Sequence, residues 1–308
     1  MSTDLFPGFS SQHIPTHSGI NIFTRISPPT TPAKPPLLLI HGFPQTHIIW
    51  HKLTPFLTDH FTLILVDLRG YGSSSLAPES TNGSGYTKRL MAQDCVAIMD
   101  NLGFREKLSI VGHDRGARVA YRLAFDFPER VEKLVVLDIV PTASMFRSFG
   151  NATMALKAYH WLFLAQPAPF PETMIAGSDG GRAFLENSLA SWTGAKTLDV
   201  FAEELGVLER YREAYCLPER VHATCEDYRA GVFYDRVYDE EELEKGRKIQ
   251  VPILAVWGGK GLPASGGSLL DVWNEYASDV TGKGLDCGHF IPEEDPKGLA
   301  DEILKFLL

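Results

Sequence analysis

Residues 108–124 read LSIVGHDRGARVAYRLA, and this stretch decides the fold. The apolar run at 108–111 predicts a buried strand, and residues 117–124 predict a helix. Gly112 and Gly116 bracket Asp114 between the two elements, and their conformational freedom favours a tight turn. A strand, a Gly-x-acid-x-Gly turn and a helix therefore present the Asp114 side chain at the top of a sheet.

Asp114 in this position predicts a particular kind of chemistry. The strand–turn–helix unit is typical of the nucleophile elbow of α/β hydrolases, where the central residue is more often Ser or Cys. A carboxylate attacks well at an sp³ carbon that carries a leaving group, and poorly at an ester or amide carbonyl. The sequence therefore points away from esterases and toward displacement at carbon through an alkyl-aspartyl ester.

The rest of the chain predicts an α/β-hydrolase fold, a mostly parallel, doubly wound sheet with a helical cap insertion. The expected strands are 10–15 and 20–26, joined by a turn at 17–19, then 37–40, 62–66, 108–111, 134–137 and 253–256. Helices are expected at 86–102 and 295–308. Residues 1–141 and 247–308 form the expected core domain, and residues 142–246 form the expected cap over the carboxyl edge of the sheet. The acidic run at 239–244 is interpreted as a solvated helix face.

Composition and charge set limits on the function. The 308 residues are 44% hydrophobic, enough for a large core with an insertion. The net charge of −9 argues against a nucleic-acid partner. The four cysteines lack metal-ligand spacing and suit free thiols in a reducing compartment. Neither a secretory signal nor a membrane-spanning run is expected, so the default location is cytoplasmic.

An aspartyl ester needs an acid–histidine pair that activates water for its hydrolysis. His289 follows Gly288 near the C-terminus, where the order nucleophile, acid, histidine places the base. The usual position of the acid, after the penultimate strand, reads WGGKG at 257–261 and holds no carboxylate. Asp138 ends the strand that follows the elbow, and we interpret it as the acid rather than as a turn former.

Groups around the elbow complete the candidate site. The backbone N–H groups of Phe43 and Arg115 are expected to form an oxyanion hole. Arg115 and Arg118 lie three residues apart on one helix face beside the nucleophile, where a bare guanidinium is costly without an anion. We interpret the pair as a clamp for a substrate carboxylate that also keeps Asp114 ionised, and Arg122 as a structural salt-bridge residue.

Over nearly its full length the sequence resembles the fluoroacetate (haloacetate) dehalogenases of the α/β-hydrolase superfamily. The first two matching motifs are superfamily-wide, whereas the arginine-bearing elbow and the cap motifs are much more specific. The motifs are HGFPQTH at 41–47, DLRGYG at 67–72, GHDRGAR at 112–118, DIVPT at 138–142, YHW at 159–161, SWT at 191–193, CEDYRAG at 225–231 and GHF at 288–290.

The resemblance implies further roles. It implies that the elbow aspartate, the acid, the histidine and the two arginines act as assigned above. It also implies cap donors that hold the departing halide, at His160, Trp161 and Tyr228, and a pocket-lining Trp192. No metal or organic cofactor is expected, the partner is a small anionic substrate, and a homodimer is implied.

Two other functions stay open at this point. An epoxide hydrolase uses the same three catalytic residues, with two cap tyrosines that protonate the epoxide oxygen. Tyr228 and one of three others could supply them: Tyr159, Tyr211 or Tyr234. Against this stands Arg115, where epoxide hydrolases and haloalkane dehalogenases usually carry Trp. A non-catalytic ligand receptor on the same fold is the second alternative, which the intact nucleophile–acid–histidine set disfavours. We therefore expect hydrolytic dehalogenation of a short 2-haloacid, with fluoroacetate as the leading candidate.

Overall fold

The computed structural model describes residues 4–16, 19–78, 80–177, 179–202, 206–263 and 267–308, so the predicted turn at 17–19 lies mostly outside the described residues. Eight strands within these ranges form one sheet. The strands are β1 (Ser10–Pro15), β2 (Asn21–Ile26), β3 (Pro36–Ile40), β4 (Thr62–Val66), β5 (Leu108–His113), β6 (Val131–Leu137), β7 (Ile253–Gly258) and β8 (Val280–Leu285).

The described helices alternate with these strands in the core and follow one another between β6 and β7. They are α1 (Thr54–Leu57), α2 (Lys88–Asn101), α3 (Arg115–Asp126), α4 (Thr142–Ser148), α5 (Ala152–Lys157), α6 (Tyr159–Leu164), α7 (Phe170–Ala176), α8 (Arg182–Trp192), α9 (Asp199–Ala202), α10 (Val207–Tyr215), α11 (Pro218–Ala230), α12 (Arg236–Glu244), α13 (Leu269–Tyr276), α14 (Ile291–Glu294) and α15 (Pro296–Leu307). Short 3₁₀ turns lie at His47–Trp50, Ser84–Tyr86 and Pro128–Arg130, and a π-helical turn at Gly231–Asp235 joins α11 to α12.

The sheet has the order β1-β2-β4-β3-β5-β6-β7-β8, in which β2 runs antiparallel to both its neighbours, β1 and β4, and the six strands from β3 to β8 are parallel to one another. The central strands are continuous apolar runs because helices cover the sheet, and the leucines and isoleucine of β3 at 37–40 are fully buried. This architecture confirms the predicted fold class. No helix in the described ranges is long and apolar enough to cross a membrane.

The register of the central strands brings their carboxyl ends to one edge. Ile40 of β3 lies opposite Gly112 of β5, and His113 lies opposite Leu137 of β6. Leu137 in turn lies opposite Val256 of β7. The loops that follow these strands therefore meet at the edge where open α/β sheets bind their ligands.

Helices α4 to α12 all lie in the segment that the sequence analysis assigned to a cap, and we call this segment the helical insertion. Within the insertion, α11 packs against α6 and α7, and α12 packs against α4. Toward the core, α11 packs against the turn at Ser84–Tyr86, α12 against α13, and the π-helical turn against α2. The insertion is therefore held by the core at several points. Its division from the core as a separate domain stays a prediction.

The interpretation of the acidic run at 239–244 as a solvated face is wrong for two of its residues. Asp239 and Glu242 are buried, and they share one face of α12 because they lie three residues apart. Asp239 Oδ2 accepts a hydrogen bond from Tyr121 at 2.8 Å, and Glu242 Oε1 accepts one from Arg122 at 2.9 Å. These bonds join the insertion to α3, and they agree with the structural salt bridge expected for Arg122. Burial raises the pKa of Asp239 to about 7.

Candidate active site

Asp114 lies in the sharp turn between β5 and α3, and its own backbone carries the strain of that turn. Its φ is +46°, a region that residues with side chains rarely adopt. The flanking glycines are needed for close approach instead. A Cβ on Gly116 would lie 2.2 Å from the carbonyl oxygen of Ile40, and one on Gly112 would lie 2.5 Å from Ala117 Cα. The turn was predicted correctly, but its glycines serve packing, and the positive φ falls on the candidate nucleophile.

The loop after β3 meets the elbow at the Asp114 carboxylate. The N–H of Phe43 donates to Asp114 Oδ1 at 2.9 Å. A Cβ on Gly42 would lie 2.5 Å from Asp114 Cβ and 2.7 Å from the nitrogen of Arg115, so the loop after β3 packs tightly on the elbow. The structure therefore places the N–H of Phe43 on the carboxylate, and the oxyanion-hole role of Phe43 and Arg115 stays a prediction. Burial alone would raise the pKa of Asp114, but the charge of His289 and other nearby cationic groups outweighs burial and lowers it.

The predicted acid and base form a direct pair. His289 Nδ1 lies 2.6 Å from Asp138 Oδ2, and both residues are buried or nearly so. Asp138 Oδ1 accepts a further hydrogen bond from the N–H of Gly258 at 2.9 Å, which fixes the orientation of the carboxylate. Burial alone would lower the pKa of His289, but the hydrogen bond and charge of Asp138 outweigh it and raise the pKa. A histidine held this way by a carboxylate is suited to act as a general base.

His113 supports this pair, a role that the sequence analysis did not assign. It ends β5 next to Asp114, and its Nε2 lies 2.8 Å from the carbonyl oxygen of His289. Burial lowers the pKa of His113 to about 3, so the ring is neutral and can donate this N–H. The His289 loop is also held from the insertion, because the N–H of His289 donates to the carbonyl of Trp192 at 2.9 Å. The only signal in the sequence was the place of His113 inside the elbow motif.

A cavity of about 300 Å³ opens between this edge of the sheet and the insertion. Seven predicted site residues line it: Asp114, Arg118, Asp138, His160, Trp161, Trp192 and His289. Arg115 and Tyr228 do not line the cavity, but both contact Trp161, which does. Among the described residues, no three His, Cys, Asp or Glu side chains are grouped to hold a metal ion.

Arg118 is a buried cation in the cavity wall, and it is 3% exposed. Its Nη1 donates to the carbonyl of Val140 at 2.9 Å and to Thr142 Oγ1 at 3.1 Å, both neutral acceptors. Its Nε has no hydrogen-bond partner, and no carboxylate within the described ranges forms an ion pair with it. The guanidinium lies 4.4 Å from the ring centre of Trp161. Burial lowers the pKa of Arg118, and the nearby charge of Asp114, which acts in the opposite direction, does not outweigh it.

Arg115 has a different environment, since its guanidinium is paired inside the protein. Its Nε donates to Asp227 Oδ2 at 3.0 Å and its Nη2 donates to Asp227 Oδ1 at 2.8 Å. Burial alone would lower the pKa of Arg115, but Asp227 outweighs burial and raises it. Only Nη1 of this group is left buried without a partner in the described part of the chain. The sequence analysis preferred a carboxylate clamp to a salt bridge for Arg115; the structure has the salt bridge, and a clamp role rests on Nη1.

Asp227 gathers three donors from the core onto one fully buried carboxylate. Besides Arg115, it accepts hydrogen bonds from Tyr71 and from the ammonium of Lys88. Lys88 also interacts with Asp235, which the π-helical turn brings into reach 3.7 Å away. This network was not predicted from the sequence. Asp227 stands in the CEDYRAG motif beside Tyr228, but nothing in the sequence distinguishes Lys88 from a surface lysine.

The three predicted halide donors cluster on the insertion side of the site. The ring of Tyr228 lies 5.9 Å from that of His160 and 5.4 Å from that of Trp161. Burial lowers the pKa of His160 to about 3, so its ring is neutral and one nitrogen carries a proton that can be donated. Trp192 packs on His160 at 4.5 Å and on His289 at 5.7 Å between ring centres, so it joins this cluster to the catalytic pair.

The α/β-hydrolase fold model matches residues 35–296. The chain belongs to the α/β-hydrolase family. It is 40% identical to a fluoroacetate dehalogenase from Burkholderia sp over 273 residues, which are 89% of this chain and 87% of the relative. This similarity confirms the resemblance inferred from the motifs.

Other relatives of this α/β hydrolase have different names. It is 32% identical to a soluble epoxide hydrolase from Corynebacterium sp. (strain C12) over 88% of this chain and 89% of the relative. The crystal structure of ALR0039 from Nostoc sp PCC 7120, which is assigned to the α/β hydrolases, superposes with a TM-score of 0.90 at 42% identity, over 98% of this chain and 99% of the other. Hydrolase activity is therefore supported, whereas the names of the relatives differ in the substrate.

Proposed function

We propose that this α/β hydrolase is a dehalogenase of short 2-haloacids, with fluoroacetate as the leading candidate. The observation that carries the proposal is Arg118, a buried guanidinium beside Asp114 with only neutral partners among the described residues. A buried cation of this kind is costly until an anion joins it, and the carboxylate of a haloacid is such an anion. The 40% identity to a fluoroacetate dehalogenase supports the same substrate class.

Asp114 is the nucleophile of the first step. Phe43 holds Oδ1, so the attacking oxygen is Oδ2, which has no donor in the described part of the chain. Oδ2 forms a bond to carbon 2 of the substrate while the carbon–halogen bond breaks, and the halide leaves with the bonding electrons. Arg118, which lines the cavity, holds the substrate carboxylate during this step, and Arg115 adds positive charge from behind the lining.

The leaving halide needs donors, above all when it is fluoride. His160, Trp161 and Tyr228 supply an imidazole N–H, an indole N–H and a phenol O–H from one cluster. Because His160 is neutral, it contributes a hydrogen bond without placing a further buried charge beside the two arginines. Donors fixed before the reaction stabilise developing charge strongly where water is excluded.

Water hydrolyses the ester in the second step. His289 takes a proton from water, which attacks the carbonyl carbon of Asp114, and Asp138 stabilises the imidazolium that forms. The oxyanion develops on Oδ1, next to the N–H groups of Phe43 and Arg115. Collapse breaks the bond between the carbonyl carbon and the substrate oxygen, His289 protonates that oxygen, and the 2-hydroxy acid leaves. The proton of the newly formed Asp114 carboxyl passes to solvent, which restores the carboxylate. The sum is haloacid plus water to hydroxy acid, halide and a proton.

An epoxide hydrolase is the second candidate, and two observations favour it. A relative with that name is 32% identical, and His160 and Tyr228 form a pair of donors that could bind an epoxide oxygen. Two of the three predicted partner tyrosines use their hydroxyls elsewhere, since Tyr211 donates to Glu293 and Tyr234 donates to the carbonyl of Thr81. The third, Tyr159, is 42% exposed. A neutral epoxide also leaves the Arg118 cation without an anion, and we rank this function second for that reason.

The test is halide release from fluoroacetate and chloroacetate, measured by ion chromatography beside diol formation from styrene oxide. Halide without diol is the expected result. Diol without halide would overturn the proposal and assign His160 and Tyr228 to epoxide opening.

A cytoplasmic homodimer is part of the same proposal on the strength of the family resemblance. Sedimentation velocity at micromolar concentration tests the oligomeric state. A mass of 68 kDa, twice the 34.1 kDa of one chain, is expected.

A further inference from the structure

The cavity at the site is larger than a haloacetate. Its volume is about 300 Å³. A haloacetate has five non-hydrogen atoms, and even at about 30 Å³ per atom, the full share of a water molecule in the liquid, it fills about half of this space. The other half is available to atoms that a haloacetate does not have.

The remaining space has an apolar wall. Its side chains come from the loop after β6, from α4 and from α13: Ile139, Val140, Met145, Leu269 and Val272. Hydrogen bonds hold the wall in place, because Trp273 donates to the carbonyl of Ile139 at 3.1 Å and Ser144, a polar residue of the same lining, donates its hydroxyl to Tyr276 at 3.0 Å. Three lysines also line the cavity, but all are exposed and therefore lie at its mouth: Lys157, Lys196 and Lys260.

The wall begins at the proposed carboxylate-binding group. Ile139 and Val140 follow Asp138 in the chain, and the carbonyl of Val140 accepts the Nη1 hydrogen bond of Arg118. At carbon 2 of a bound haloacid, the carboxylate is fixed at Arg118 and the halide at its donors, with Asp114 on the side opposite the halide. Two positions are left, one for hydrogen and one for a substituent that can extend along the wall.

We propose that the substrates of this site are 2-haloalkanoic acids with an unbranched apolar substituent of up to about four carbons on carbon 2. A 2-halohexanoate has nine non-hydrogen atoms, about 270 Å³ on the same generous count, and fits the cavity. Only one enantiomer directs its chain along the wall while its halide meets the donors. Attack opposite the halide inverts carbon 2, and water then releases the 2-hydroxy acid, halide and a proton. This inference rests on the proposed function.

The first experiment compares 2-chloropropionate, 2-chlorobutyrate and 2-chlorohexanoate, which all react at a secondary carbon. Burial of one methylene is worth up to about fourfold in affinity, so kcat/KM should rise at least tenfold from propionate to hexanoate. Racemic 2-chlorohexanoate should stop at half conversion and give one inverted 2-hydroxyhexanoate enantiomer. A flat or falling series overturns the inference, and so does equal consumption of both enantiomers.

A second experiment narrows the wall. Val272→Phe adds bulk to the cavity from α13, and it should lower the hexanoate-to-propionate ratio of kcat/KM at least fivefold. Asn274→Phe is the matched control, since Asn274 is exposed on the same helix and does not line the cavity. The inference fails when the two variants change the ratio equally.

Binding separates this inference from the proposed function. Isothermal titration of the wild-type protein with lactate and 2-hydroxyhexanoate compares the affinities for a short and a long acid, and so measures binding along the apolar wall without any reaction. Tighter binding of the longer acid, with no halide released from any haloacid, would refute dehalogenation and retain the apolar site. Halide release with no preference for the longer acid would retain dehalogenation and refute the apolar site.

Discussion

Replacing Arg118 with Gln tests the basis of the proposed function directly. The guanidinium can give a substrate carboxylate two charge-assisted hydrogen bonds, each worth about 1.5–3 kcal/mol, whereas a glutamine amide keeps one neutral bond of about 1 kcal/mol. The loss is about 2–5 kcal/mol, which corresponds to about 30- to 5,000-fold in kcat/KM for chloroacetate. Most of the loss should fall on KM, because the carboxylate contact is present before and during displacement.

The assay uses chloride release from chloroacetate and from chloroacetamide, a neutral substrate of nearly the same shape. Arg118→Gln should change kcat/KM for the amide less than threefold. Arg122→Gln is the control on the same helix, since Arg122 is also buried but pairs with Asp126 and Glu242 away from the cavity. It should lower stability and leave kcat/KM for chloroacetate within about threefold. Equal losses on the acid and the amide in Arg118→Gln would refute the carboxylate-binding role.

Three further variants test other parts of the site. Asp114→Asn should bind chloroacetate but release no halide, and single turnover of the wild-type enzyme in ¹⁸O-water should label Asp114; an active, unlabelled enzyme would rule out the ester. Because Asp138 raises the pKa of His289, and His289 must be neutral to accept a proton, kcat should rise with pH through that raised pKa. Asp138→Asn should lower kcat and move this acidic limb to lower pH, and an unmoved limb would mean that His289 is not the titrating base. Asp227→Asn removes a fully buried partner of two cations and should cost about 3–5 kcal/mol in urea unfolding, whereas Asp286→Asn, at a side chain that is 93% exposed, should cost less than about 1 kcal/mol.

The order of the elements could be read from the sequence because buried parallel strands are short apolar runs. Residues 62–66 were predicted as a strand and form β4, and 37–40 lie within β3. The ends of strands were less well predicted, since β5 continues to His113, where polar residues follow the apolar run. Which acidic side chains of the helical insertion are buried could not be predicted from their charge. Asp239 and Glu242 look like a solvated run, but their partners are on α3, more than a hundred residues earlier.

The proximity of the candidate residues Asp114 and Asp138 could be predicted because each follows a parallel strand at the same edge of the sheet; their catalytic roles stay a prediction. Asp114 directly follows β5 and Asp138 directly follows β6, and the parallel register of β5, β6 and β7 brings them to the same place. The environment of Arg115 could not be predicted, because its partner Asp227 is 112 residues away in the chain. The same holds for the orientation of Tyr228, which depends on how α11 packs against α6.

The contrast between the two elbow arginines indicates how the fold separates stability from binding. Two uncompensated guanidinium groups beside one carboxylate would be costly to bury, and two fully compensated ones would give little attraction to an anion. Asp227 compensates Arg115, so the folded state bears the desolvation of Arg118 alone. This desolvation lowers the free energy of unfolding, and an anionic substrate offsets it by pairing with Arg118 on binding. The insertion supplies Asp227 as well as the cluster of candidate halide donors, so the segment that covers the cavity also sets which cation is left for the substrate.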